Sequence, residues 1–316
     1  MVMENKNGNN QGLLRPLLGD ATPAKASGLT YSLASILSVA LSFLFLIIIA
    51  LLGLTNEGYE TSDWYLYCSF LLSPVAFALV ACIVLRWSNA SIKAELTAQV
   101  CKPKYFFIAI LLQCGLLCLS QLNGWFLQWL SKFGYEDMPI NLPSMDGFGF
   151  VGVVLAVALL PAVFEEVIFR GLLLKGMRAF GVVGAILING ALFALYHQNP
   201  AQTLYQFCCG AAFALVAIRS GSILPTMLSH FINNALILVL TKFGLASFSP
   251  TVTIVVIAVS AVCLLLSLAW LIFFDKGGDA ARNGNAYAER KSFWLFASVG
   301  IVLCALTWIS VLLTGF

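Results

Sequence analysis

The sequence predicts an all-α polytopic membrane protein, with about eight or nine transmembrane helices and its site in a central four-helix core. Three observations predict it. The 316-residue chain is 60% hydrophobic and 10% charged, less than half the roughly 25% charge of a soluble domain. Its mean hydropathy is +0.94. Its apolar stretches repeatedly reach the length needed to cross a hydrocarbon core of about 30 Å. The lipid bilayer is therefore its solvent. The net charge of +3 is small and spread along the chain, which argues against nucleic acid as a partner.

Residues 1–28 are polar, with Asn5, Asn9 and Asn10, and read as a flexible cytoplasmic tail. The apolar block after them is too long, and lacks a cleavage site, for a removable signal peptide. Spans are expected at 30–53, 64–86 and 105–129, making an N-terminal unit over 29–148. Four more, at 149–170, 181–198, 201–218 and 222–241, make a core unit over 149–241. The last two, at 251–274 and 292–314, form a C-terminal hairpin within 242–316, divided by a polar linker at 275–291. No repeat of 20–50 residues is visible, nor the inverted symmetry typical of transporters.

Charge in the connections sets an orientation. Glu57, Glu60 and Asp63 follow the first span, whereas Arg86, Lys93, Lys102 and Lys104 outweigh Glu95 after the second. Glu136, Asp137 and Asp146 outweigh Lys132 after the third. Basic residues return as Arg170, Lys175 and Arg178, as Arg219, and as Lys276, Arg282, Arg290 and Lys291. This alternation puts the N-terminus in the cytoplasm and the C-terminus outside. The nine cysteines show no metal-ligand spacing and read as small buried hydrophobes.

The chemistry concentrates where Phe164, Glu165, Glu166, Val167, Ile168, Phe169 and Arg170 follow one another. On a helix Glu166 and Arg170 are one turn apart and pair on one face. Glu165 points about 100° away and is left free. Ionisable groups within a membrane mark functional sites, although a solvated pair at the surface would explain these three residues alone. The chain's two histidines sit in nearby spans. His197 shares a helical face with Asn189 and Phe193, and His230 shares one with Asn234. A lone histidine in an apolar helix is more often a packing residue. Here every histidine falls in the same four-span region as the glutamate pair.

These groups suit hydrolysis. A carboxylate and a neutral imidazole can take a proton from water. An imidazole and a carboxamide on one face can donate to an oxyanion. Glu165, His197 and His230 also make the two-histidine, one-glutamate ligand set of a catalytic zinc or another divalent metal. There is no His-Glu-x-x-His helix and no Gly-x-Ser-x-Gly elbow.

Glu165-Glu166-x-x-x-Arg170, Phe193-x-x-x-His197 and His230-x-x-x-Asn234 resemble, in order, the motifs of the CAAX-protease and bacteriocin-processing family of intramembrane endopeptidases. The resemblance covers roughly residues 160–235. It implies that Glu165 and His197 activate the attacking water, that His230 and Asn234 stabilise the oxyanion, and that Glu166 and Arg170 support them. It also implies a membrane-associated peptide or protein substrate, and a multi-pass protein of the bacterial inner membrane. The family is also described as metal-dependent, with Glu and His as ligands, and the sequence leaves both schemes open. A non-catalytic scaffold or bacteriocin-immunity protein is the alternative, and an ion-coupled carrier a further one. Counting residues from the basic turns puts His197 and His230 about 10 Å apart in depth if both helices start at the surface. They meet only if residues 171–180 project beyond the membrane or lie at its interface.

Overall fold

The computed structural model describes residues 23–88, 97–137, 140–245, 249–275 and 286–316. Every long element is helical, and no strand occurs among the described residues. This is the expected solution in lipid, where each helix satisfies its own backbone. The helices are α1 (Pro23–Leu51), α2 (Asp63–Ser88), α3 (Lys104–Ser131), α4 (149–177), α5 (Gly181–Tyr196), α6 (Thr203–Ser220), α7 (Leu224–Lys242), α8 (Pro250–Ala269, ending in a π-helical turn at Trp270–Phe274) and α9 (Ala286–Thr314).

Eight helical runs among the described residues are long and apolar enough to span a membrane. One of them, Gly149–Tyr196, is 48 residues long. At 1.5 Å per residue it would reach about 70 Å, more than twice the hydrocarbon core, so it holds two crossings. These are the expected spans at 149–170 and 181–198. They are joined by a single 3-10 turn at Arg178–Phe180 and by Gly181, whose φ of 77° is open to glycine and strained for other residues.

Two boundaries differ from expectation. The tail expected over 1–28 lies outside the described residues as far as residue 22, but residues 23–28 already belong to α1. Ala24, Ser27 and Gly28 are buried there, so contact with neighbouring helices decides the boundary rather than local polarity. The linker expected at 275–291 lies outside the described residues for 276–285, while α9 begins at Ala286. Lys93 and Glu95, used for orientation, also lie outside them.

The last two spans do not make the expected hairpin. α8 packs mainly on α3, and α9 mainly on α1. Small residues direct both choices. A Cβ on Gly115 would stand 2.4 Å from the Leu264 nitrogen, and one on Gly28 would stand 2.4 Å from the Phe293 carbonyl oxygen. In lipid, helices gain little from burying apolar surface and choose partners by close packing and hydrogen bonds. The α1–α9 seam has both: the Ser32 hydroxyl donates to the Phe296 carbonyl at 2.6 Å and accepts from Gly300 N–H at 3.0 Å. The cysteines divide between two environments. Cys209 and Cys304 are buried, but Cys68, Cys82 and Cys114 lie on outer faces, where an apolar residue meets lipid rather than protein.

α4 is the hub, touching α1, α2, α5, α6 and α7. Its last two turns continue as buried helix through Met177. They are held to α1 by Ser27, whose hydroxyl donates to Leu172 O at 3.0 Å and accepts from Gly176 N–H at 3.0 Å. Residues 171–177 thus form an ordered, covered extension of α4. α5 starts only after that extension and the turn at Arg178–Phe180, and His197 and His230 do meet, both packing on Phe193.

Candidate active site

Two π-helical turns, Val154–Leu159 and Val167–Leu173, bracket the regular segment Leu160–Glu166 of α4. Such bulges frequently mark functional positions, because they free carbonyls and rotate one face relative to the next. Pro161 accompanies the first bulge. It has no N–H to give Val157 O, four residues earlier. Asn234 on α7 takes up that carbonyl, with Nδ2 donating at 3.3 Å. The second bulge places Phe169 O where Asn189 Nδ2 of α5 donates to it at 2.8 Å. Asn189 therefore locks α5 to α4 and is not directed at His197.

The expected i, i+4 pair forms inside the protein. Arg170 Nη1 donates to Glu166 Oε1 at 2.8 Å, and both side chains are fully buried. The guanidinium is further satisfied by Gly210 O at 3.1 Å and by the rings of Phe193, Phe213 and Phe169, at 4.3, 5.4 and 5.8 Å. A buried charge needs such partners, since leaving one uncompensated costs several kcal/mol. Access to Gly210 O depends on the close approach of α5 and α6, where a Cβ on Gly210 would lie 2.9 Å from Gly190 Cα. These positions exclude the surface-pair explanation.

Glu166 has a second task that its spacing does not announce. The same Oε1 lies 3.0 Å from His230 Nδ1. A carboxylate can only accept, so Nδ1 carries the proton and Nε2 is turned to the other side. There it lies 3.8 Å from Glu165 Oε2. That oxygen is buried and has no hydrogen-bond partner among the described residues. The adjacent carboxylates differ in what holds them: Arg170 and His230 both bind Glu166 Oε1, leaving Glu166 Oε2 buried without a hydrogen-bond partner among the described residues, whereas Glu165 Oε2 is approached by His230 Nε2 at 3.8 Å.

His197 closes α5. Its Nδ1 lies 2.8 Å from the Phe193 carbonyl, which fixes Nδ1 as the donor and leaves the Nε2 lone pair free. The next residue, Gln198, has φ 52°, so the chain turns left-handed immediately after the histidine. The rings of His197 and His230 both pack against Phe193, with centroids at 4.7 and 6.0 Å. His197 is also within electrostatic reach of Glu165. Arg170, His197 and His230 thus pack on one phenylalanine, and Glu165 and Glu166 join them through His230.

Residues 147–236 match the family model described as Type II CAAX prenyl endopeptidase Rce1-like. The segment is similar to that family. It runs from the start of α4 into α7 and contains all six residues singled out above, so the resemblance drawn from three short motifs holds over the whole segment. α1–α3, α8 and α9 lie outside it. No curated protein and no solved structure matches the chain.

A metal fits the Rce1-like site poorly as its side chains stand. Among the described residues, no three His, Cys, Asp or Glu side chains are arranged to hold one. The expected set of Glu165, His197 and His230 is not drawn together into such a group; Nδ1 of each histidine is engaged, and each Nε2 is the nitrogen left to face the site. One further layer escaped sequence reasoning. Asn233 Oδ1 accepts from Gln113 Nε2 at 2.8 Å and from the Tyr205 hydroxyl at 2.7 Å. Gln113 lies in α3, outside the Rce1-like segment. Its only signal was a carboxamide within an apolar run.

Proposed function

We propose that this protein is an intramembrane endopeptidase of the CAAX type, which cleaves a peptide bond in a membrane-associated peptide or protein with water activated by Glu165 and His197. The observation that carries the reading is the buried Glu165 Oε2, which has no hydrogen-bond partner among the described residues and faces His230 Nε2 at 3.8 Å, while Glu166 is bound through Oε1 to Arg170 and His230. An unpartnered acid at membrane depth has little structural use and costs stability, which supports a chemical role.

In this reading water binds between Glu165 Oε2 and His197 Nε2. One of them takes its proton as oxygen attacks the scissile carbonyl. Negative charge then develops on the carbonyl oxygen. Asn234 Nδ2 keeps one hydrogen beyond the one it gives Val157, and His230 Nε2 donates when it too is protonated. Glu166 and Arg170 hold the His230 ring. The proton taken from water finally passes to the leaving amine. No step runs through a metal. The N-terminus is assigned to the cytoplasm of a bacterial inner membrane, on the charge of the connections.

The test uses purified full-length protein in detergent with a farnesylated peptide ending in cysteine, two aliphatic residues and a variable one, beside the same peptide without the farnesyl group. Glu165→Ala and His197→Ala should each lower cleavage by about 10²–10⁴-fold, the usual worth of a general acid–base group. Neither melting temperature should fall. Retained cleavage in both variants would overturn the reading. Metal content and chelation on the same samples decide the mechanism: cleavage that chelation abolishes and added zinc restores would replace the water-activating pair with a metal centre.

A further inference from the structure

Asn234 can serve an oxyanion only if its carboxamide presents nitrogen rather than oxygen to the substrate. Nothing in a helix decides that orientation, because the two ends of a carboxamide have nearly the same shape. Here a chain of hydrogen bonds decides it. The Asn233 oxygen receives two donors, Gln113 Nε2 at 2.8 Å and the Tyr205 hydroxyl at 2.7 Å. Asn233 Nδ2 is thereby turned toward Asn234 and donates to its Oδ1 at 3.0 Å. With that oxygen occupied, Asn234 Nδ2 must face the opposite way, toward the Val157 carbonyl, to which Pro161 has no N–H to give. Flipping Asn233 would set its NH2 group against that of Gln113. Gln113 and Asn233 are 1% and 5% exposed, so water cannot relieve such a mismatch. The hydroxyl of Ser229, one residue before His230, donates to Ala109 O at 3.0 Å and ties the same stretch of α7 to α3.

We propose that Asn233 is a positioning residue, held by Gln113 and Tyr205, that fixes the Asn234 carboxamide so that its NH2 group faces the reacting carbonyl. The inference rests on the endopeptidase reading and deepens it. It also gives α3, which lies outside the Rce1-like segment, a part in the chemistry. The network joins four side chains, from Gln113 and Tyr205 through Asn233 to Asn234.

A double-mutant cycle on the full-length protein in detergent tests it, with the farnesylated peptide as probe. Gln113→Met and Tyr205→Phe remove the donors while keeping shape, and in combination they leave the Asn233 oxygen without either. Losing a whole oxyanion donor costs about 10²–10³-fold in kcat. Misorienting one should cost the combined variant about tenfold or more by the same measure, with KM within about twofold of wild type. Tyr205→Phe alone, the variant least able to disturb folding, should show a smaller loss of the same kind. Placed on an Asn234→Ala background, the same changes should add nothing, since residues acting through one another are non-additive. Losses that multiply with Asn234→Ala, or a KM effect without a kcat effect, would overturn the inference while leaving the endopeptidase reading standing. Undiminished cleavage by Glu165→Ala would overturn the reading instead, and a wild-type protein that leaves the probe intact would count against both.

Discussion

The seam between α1 and α9 and the junction of α4 with α5, α6 and α7 both depend on glycines, but only the second buries charge. At the first, Gly28 and Gly300 bring the backbones together, and Ser32 bridges them with neutral hydrogen bonds. At the second, Gly190 and Gly210 allow a comparable approach, and the junction admits an arginine, two glutamates and two histidines. Close packing and neutral bonds suffice to join helices in lipid. The charges at the core junction are therefore more than adhesive. They cost stability and are kept for what they do.

The largest expected effect comes from breaking the charged junction. Arg170→Met should destabilise the protein by about 3–5 kcal/mol, because it strands the Glu166 carboxylate. Adding Glu166→Gln should restore most of the melting temperature in detergent, yet leave cleavage lost because His230 no longer has its carboxylate. At the neutral seam the outcome is reversed. Gly28→Leu forces a side chain onto the Phe293 carbonyl and should cost about 1–3 kcal/mol as overpacking. The folded fraction should keep wild-type kcat. Equal losses of stability and kcat at both places would erase the distinction.

A smaller effect tests the link between backbone and site. Pro161→Ala returns an N–H to compete for Val157 O, and should lower kcat a few-fold through Asn234 while leaving melting unchanged or slightly raised. The smallest is Gln198→Gly. It relieves a left-handed non-glycine residue at a helix end and should raise stability by up to about 1 kcal/mol. Cleavage should hold, because the neighbouring His197 is fixed through Phe193 O.

Much of this was legible in the sequence. Apolar length gave the spans, and i, i+4 spacing gave the Glu166–Arg170 pair. Three motifs in order named Arg170, His197 and His230, whose side chains pack on Phe193. What was not legible has a common physical origin in contacts between distant helices. Periodicity assumes 3.6 residues per turn, so it could not show the two π-helical turns of α4 that bracket the glutamates. The second bond of Glu166, to His230, spans 64 residues, and that of Gln113 to Asn233 spans 120. Spacing also favoured Asn234 over its neighbour without giving Asn233 a task. Adjacency suggested that α8 and α9 pair, whereas Gly115, Gly28 and Gly300 chose other partners.

The α1–α9 seam also bears on how the chain is made. Gly28 and Gly300 are about 270 residues apart, so at a synthesis rate of about 5–20 residues per second α1 precedes its main partner by ten seconds to a minute. During that interval its serine-lined stripe has only lipid or a chaperone against it, while Ser27 can already engage Leu172. The Rce1-like core can thus assemble on an unfinished wall. A ribosome stalled before α9 would release a nascent chain with the Rce1-like segment complete and one flank open, a species that membrane quality control must recognise or tolerate.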